Sequence, residues 1–205
     1  EESQAEPGTK TLSVGLQGKL KLTDPFLIQF LSTWQAQKDL SLDTNRWAMQ
    51  ILEGKYEEAS HQLSVVRAED QKEFDPAVVS AGLYLYYRMG LAQTFFNEWV
   101  AALSTPSYAN SRVESALEAT VAPTLDQWLL DNAILVKTDQ AAIIAGLGTQ
   151  HGLAGLTLKA WAALQKRQPA KEVLEKLPPE NKLRFLLAQV LVADYVRQEK
   201  FAEAG

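Results

Sequence analysis

The chain contains no cysteine. That excludes a disulfide framework, thiolate metal sites and a cysteine nucleophile. It contains two histidines, His61 and His151, so a multi-histidine metal centre is excluded and no HExxH pair exists. GxSxG and GxxxxGK patterns are also missing, which removes the nucleophile elbow and the phosphate loop. No apolar run approaches the roughly 18 residues needed to cross a bilayer, and the chain reads as soluble. Lysine and arginine are scattered in a chain of formal charge −5, which argues against a nucleic-acid partner.

What is present is apolar residues at helical spacing. With 205 residues, 46% of them hydrophobic, one core can form and bury roughly 70% of the unfolded surface. Residues 1–10 are polar, carry Pro7 and Gly8 and read as a mobile tether. Over 11–23, Leu12, Val14, Leu16, Leu20 and Leu22 alternate with polar residues, a strand pattern that would need a partner edge or would lie across helices. Self-association through residues 12–22 follows as one expectation. From 24 to 205 the pattern is helical, and the last helix begins so close to Gly205 that the repeat is expected to continue in a longer protein.

Asp24-Pro25 and Asp75-Pro76 are helix starts, each an N-cap with proline in the first turn. Asp43 or Thr44 is expected to cap a helix carrying Trp47, Ile51 and Leu52 up to Gly54. Gly90 and Pro123 interrupt the pattern, as does the pair Gly146 and Gly148. About eleven short helices are expected from this punctuation.

Two stretches set the architecture. Leu183, Leu187, Val190, Leu191 and Tyr195 form an apolar stripe, Gln198-Glu199-Lys200 turns, and Phe201 and Ala204 open a second face. GKYEEA at 54–59 echoes EKFAEA at 199–204, with the small alanine allowing two antiparallel helices to approach. A weaker third copy runs through Trp161, Ala170, Leu174 and Leu177 to Pro178-Pro179. These spacings resemble the tetratricopeptide family, although Trp47 and Gln50 depart from its pattern and the spacing between copies is uneven. The resemblance covers about half of the chain. It implies an all-α solenoid of stacked antiparallel helix pairs acting as a protein-binding scaffold.

Candidate chemistry is sparse. IIAGLGTQHGLAG, with Gly146, Gly148, Gly152 and Gly155, has a glycine-rich look, but dinucleotide binding would place glycine where His151 stands. A helix stop at Gly146 and Gly148, with close helix contact at Gly152 and Gly155, is the expected role. Glu114-Ser115 in RVESALEA resembles the Glu-Ser of lytic transglycosylases, but the family's Gly-Leu-Met-Gln is missing. Glu114 is therefore expected on a solvated helix face. His61 is expected exposed, and His151 at a glycine turn, neither with a carboxylate at helical spacing.

Tyr84, Tyr86, Tyr87, Phe95, Phe96 and Trp99 crowd two adjacent helices. Core filling accounts for most of them, and the surplus suits a peptide-binding groove. The expected partner-binding residues are Tyr84, Tyr87, Arg88 and Trp99, the partner being another protein or peptide. No catalytic residue, metal ligand or cofactor is expected. The polar start EESQAEPGTK is what an exported bacterial protein carries after signal removal, so the expected setting is the periplasm or envelope, with a domain cut from a larger protein, and a cytoplasmic setting, as the alternative. The expected function is a non-enzymatic scaffold in bacterial envelope assembly. A helical domain of a peptidoglycan-remodelling enzyme and a self-associating structural module are the alternatives.

Overall fold

The computed structural model describes residues 23–35, 46–69 and 75–204. The tether, nearly all of the expected strand over 11–23 and the cap at Asp43 or Thr44 lie outside the described residues. Within them every regular element is helical and there is no strand. The fold is all-α, built of helices packed against one another.

The helices begin where the side chains can satisfy the free N–H groups of a first turn. Asp24 accepts from Phe26 N–H at 2.9 Å at the head of α1, Pro25–Gln35. Asp75 accepts from Ala77 N–H at 2.8 Å and opens α4, Pro76–Arg88. Ser111 accepts from Glu114 N–H at 3.1 Å and opens α7, Arg112–Val121. Asn181 accepts from Leu183 N–H at 3.0 Å and opens α12, Lys182–Arg197.

They end on a repeated turn. After α2, Arg46–Leu52, Gly54 takes φ +77°, and Lys55 N–H reaches Gln50 O at 2.8 Å before α3, Tyr56–Glu69. After α12, Glu199 takes φ +58°, and Lys200 N–H reaches Tyr195 O at 2.9 Å before α13, Phe201–Ala204. These are the same six-to-one closure, with glycine in one copy and glutamate in the other. The same closure occurs at Gly90, where Leu91 N–H reaches Tyr86 O at 2.9 Å, and at Arg167, where Gln168 N–H reaches Ala163 O at 2.9 Å, so 54–59 and 199–204 share a helix end that two other turns also have.

Between them lie α5, Ala92–Leu103, and the single turn α6, Pro106–Ala109. After α7 come α8, Leu125–Asp131, and α9, Thr138–Gly146. A 3-10 turn over Thr149–His151 leads into α10, Gly152–Gln165, followed by α11, Lys171–Lys176. Neighbours in sequence pair in space: α2 with α3, α4 with α5, α9 with α10, α12 with α13. Several further contacts are not between neighbours: α5 meets α9, and α10 meets α7, α8 and α12. α1 lies along α7, and α4 touches α1, α3, α5 and α7.

That placement explains the aromatic crowding. Ala77 and all six residues Ser80 to Leu85 of α4 are buried, because helices surround α4 on several sides and no single stripe has to hold the apolar residues. Phe26 stacks on Tyr84 at 4.5 Å, and Phe95 contacts Trp99 at 5.0 Å and Trp128 at 5.3 Å.

Polar groups tie the packed helices together. Asp24 accepts from Thr120 Oγ1 of α7 at 2.7 Å and from Tyr84 OH of α4 at 2.9 Å, so one carboxylate joins three helices. At the other end Asp126 of α8 accepts from Lys182 N–H at 2.7 Å, and Asn181 donates to Thr157 Oγ1 of α10 at 3.1 Å.

Candidate functional site

α7 carries Glu114 and Glu118, one helical turn apart and therefore on one side. That side faces the start of α10, where the 3-10 turn delivers His151. The three side chains meet in the interior: Glu114 is 1% exposed, Glu118 8% and His151 3%. His151 Nδ1 lies 3.7 Å from Glu114 Oε1 and 3.9 Å from Glu118 Oε2. One ligand atom from each falls within 4.8 Å of the others.

The glycines now have specific work. Gly152 sits at φ +45°, and a Cβ there would lie 3.6 Å from Glu118 Oε1. At Gly155 a Cβ would stand 2.6 Å from His151 Cβ, a separation that no side chain could keep. Gly155 is therefore what lets the imidazole fold back over the first turn of α10. Gly146 ends α9 as expected.

Burial governs the electrostatics. Glu114 is pushed up to about 8, first by desolvation and then by the charge of Glu118, with the Trp99 indole N–H pulling the other way. Glu118 is pushed up to about 7 by desolvation, opposed by the backbone N–H groups of Gly155 and Ala154 at the head of α10. His151 is lowered by burial and then by the Lys159 charge. Tyr108 adds a buried hydroxyl that accepts from Ser80 Oγ at 3.2 Å, its acidity weakened by burial. Glu114 Oε1, Glu118 Oε1 and Trp99 Nε1 are buried without a well-formed hydrogen bond, so the indole and the backbone N–H groups relieve these carboxyls only in part. Such atoms are costly unless something satisfies them.

This corrects the expectation that Glu114 is solvated. Its helix is amphipathic in the ordinary way, but Val113, Glu114, Leu117, Glu118 and Val121 are all buried, so the acids lie within the packed arc. His151 does stand beside a glycine turn, and His61 is exposed. The carboxylates of His151 come from another helix, which helical spacing alone does not reveal.

The four expected partner-binding residues separate. Tyr84 is fully buried, its hydroxyl held by Asp24 and receiving Arg88 Nη1 at 2.8 Å. Trp99 is buried beside Glu114. Tyr87 is half-buried, bonded to Thr124 Oγ1 at 2.7 Å and packed on Trp128 at 5.5 Å. Arg88 is the exposed member, lying over the Tyr56 ring at 4.9 Å.

An outward apolar face exists elsewhere. Phe185, Val192 and Val196 of α12 are exposed, and Phe201 of α13 is 66% exposed. At 100° per residue the first three fall in one narrow arc, opposite the buried Leu183 and Leu187. No helix among the described residues is long and apolar enough to cross a membrane.

Fold and geometry define an all-α protein of packed helices with a buried carboxylate–imidazole cluster. No protein-family model matches the chain, and neither the curated proteins nor the solved structures give a match.

Proposed function

We propose that the chain is a non-enzymatic protein–protein interaction scaffold whose hairpins α2–α3 and α12–α13 are degenerate tetratricopeptide-like units. The observation that carries this reading is the second apolar stripe of α12. A helix that buries Leu183 and Leu187 and still exposes Phe185, Val192 and Val196 presents two apolar faces, one more than its own packing needs. Phe201 extends the exposed side across the turn. The repeat reading rests on the sequence echo between 54–59 and 199–204 and on the pairing of α2 with α3 and of α12 with α13. The partner is another protein or peptide with an apolar anchor, and the setting is bacterial envelope assembly.

The test places a photo-cross-linking side chain at Phe185 or Val196 in the native cell, with Glu57, an exposed position on α3, as control. One partner cross-linked from α12, absent from the control and lost in Phe185→Asp plus Val196→Asp, supports the scaffold. Its compartment tests the envelope setting. Cross-links only to the same chain would favour the self-associating module, and none at all would sink the reading.

One observation favours a second reading, a helical domain of a peptidoglycan-remodelling enzyme: the desolvated Glu114 beside Glu118 and His151. A carboxylic acid held protonated by its surroundings is suited to protonating a glycosidic oxygen. Digestion of purified sacculi by wild type, abolished by Glu114→Gln, would replace the scaffold with this reading. Intact sacculi would dispose of it.

A further inference from the structure

Glu114 Oε1 and Glu118 Oε1 are buried without a well-formed hydrogen bond among the described residues, the Trp99 indole and the backbone N–H groups of Gly155 and Ala154 satisfying the two carboxyls only in part. Beside them stands the Nδ1 of His151, 3.7 Å from Glu114 Oε1 and 3.9 Å from Glu118 Oε2. Two carboxylates and an imidazole at these separations are a donor set of the kind that binds divalent ions. We infer that Glu114, Glu118 and His151 form a binding site for one first-row divalent metal ion, of the zinc or cobalt type, between α7 and the start of α10.

The geometry is close to what coordination requires. Metal–oxygen and metal–nitrogen bonds of about 2.0–2.2 Å put adjacent ligand atoms about 3.0–3.6 Å apart. The observed 3.7 and 3.9 Å to the imidazole, with all three ligand atoms within 4.8 Å of one another, close by side-chain rotation. The charge also balances: two carboxylates and a neutral imidazole carry two negative charges, which a divalent cation cancels, removing the burial cost of the bare anions. A ligating imidazole has to present Nδ1 as a free lone pair and carry its proton on Nε2. Gln150 lies there, its amide 3.4 Å from Nε2, and turned about its last torsion it offers an oxygen to that proton. Gly155 holds the ring in place by leaving room for it. Among the described residues Lys159 is the cation acting on His151, and its ammonium is engaged by the Leu147 carbonyl. The site neither touches the α12 stripe nor depends on the scaffold reading.

The experiment adds Zn²⁺ or Co²⁺ to the chelator-treated full chain. Calorimetry is expected to give one equivalent bound, and Co²⁺ an intense visible band from a low-coordinate site. Because the chain has two histidines, side-chain nitrogen NMR resolves them: Zn²⁺ should move the Nδ1 of His151 and leave His61 unchanged. Glu114→Gln, Glu118→Gln and His151→Gln should each weaken binding at least about 100-fold, and His61→Ala should not. The two carboxylate-to-amide changes remove a buried charge, so the folded variants remain measurable, as circular dichroism will show. No binding, binding that survives all three substitutions, or a Zn²⁺ shift at His61 instead would overturn the assignment.

Discussion

Tyr84→Phe isolates what the Asp24 junction contributes. The substitution keeps the ring stacked on Phe26 at 4.5 Å and deletes one oxygen. That oxygen donates to Asp24 Oδ2 at 2.9 Å and accepts from Arg88 Nη1 at 2.8 Å. Asp24 Oδ2 is then left with Arg88 at 3.8 Å, beyond hydrogen-bond range. A hydrogen bond to a charged group contributes about 1.5–3 kcal/mol, and the burial of the hydroxyl offsets part of it. We expect a loss of about 2 kcal/mol. For a chain of this length that lowers Tm by roughly 4–8 °C. Thermal and urea denaturation measure it, and a double-mutant cycle with Thr120→Val, which removes the 2.7 Å bond to Asp24 Oδ1, should show non-additivity of about 0.5 kcal/mol or more. Tyr87→Phe is the control, since its hydroxyl bond to Thr124 is exposed. Were Tyr84→Phe to cost under about 0.5 kcal/mol, the junction would not hold α1, α4 and α7 together, and the binding role expected for Tyr84 would regain ground.

Other perturbations follow from the same geometry. In chelator-treated protein, Glu114 and Glu118 titrate at about 8 and about 7 when folded, against 4.5 in the reference state; the folded chain holds more protons between those limits, so stability falls as pH rises from about 4.5 and levels off above about 8. Each carboxyl holds nearly one extra proton near pH 6, so the two together should give a slope of about 2–3 kcal/mol per pH unit, less the opposing contribution of His151, whose pKa burial lowers, and Glu114→Gln should roughly halve the carboxyl part, as denaturation across pH would show. Glu199→Gly should stabilise by about 0.5 kcal/mol, and Gly54→Ala should destabilise by about 1 kcal/mol, since both sites have positive φ; urea midpoints test the opposite signs. Asn181→Ala should cost about 1–2 kcal/mol, because it removes the cap on Leu183 N–H and leaves Thr157 without its donor.

Much of the helical layout was legible because it is local. Asp24-Pro25, Asp75-Pro76, Gly90 and Gly146 mark boundaries through caps and turns that involve only a few neighbouring residues. Other ends carry no such signal: α8 stops at Asp131, where Asn132 and Ala133 turn the chain with Ala133 at φ +47° and no glycine or proline marks the place. The single turn of α6 likewise had no periodicity long enough to read.

The sequence by itself determined the class, since helical spacing, caps and turn residues act within a few positions, and it placed the positive-φ helix ends at Gly54 and Gly90. The tertiary structure decided which apolar and acidic residues lie inside. Tyr84 and Trp99 are core because α4 and α5 are flanked by helices on several sides, a fact no single helix encodes. Glu114 and Glu118 could be read as one face of α7, but His151 reaches them only after α8 and α9 have turned the chain back. Spacing reports neighbours along a helix, whereas desolvation and ligand geometry depend on what the rest of the fold brings to that helix.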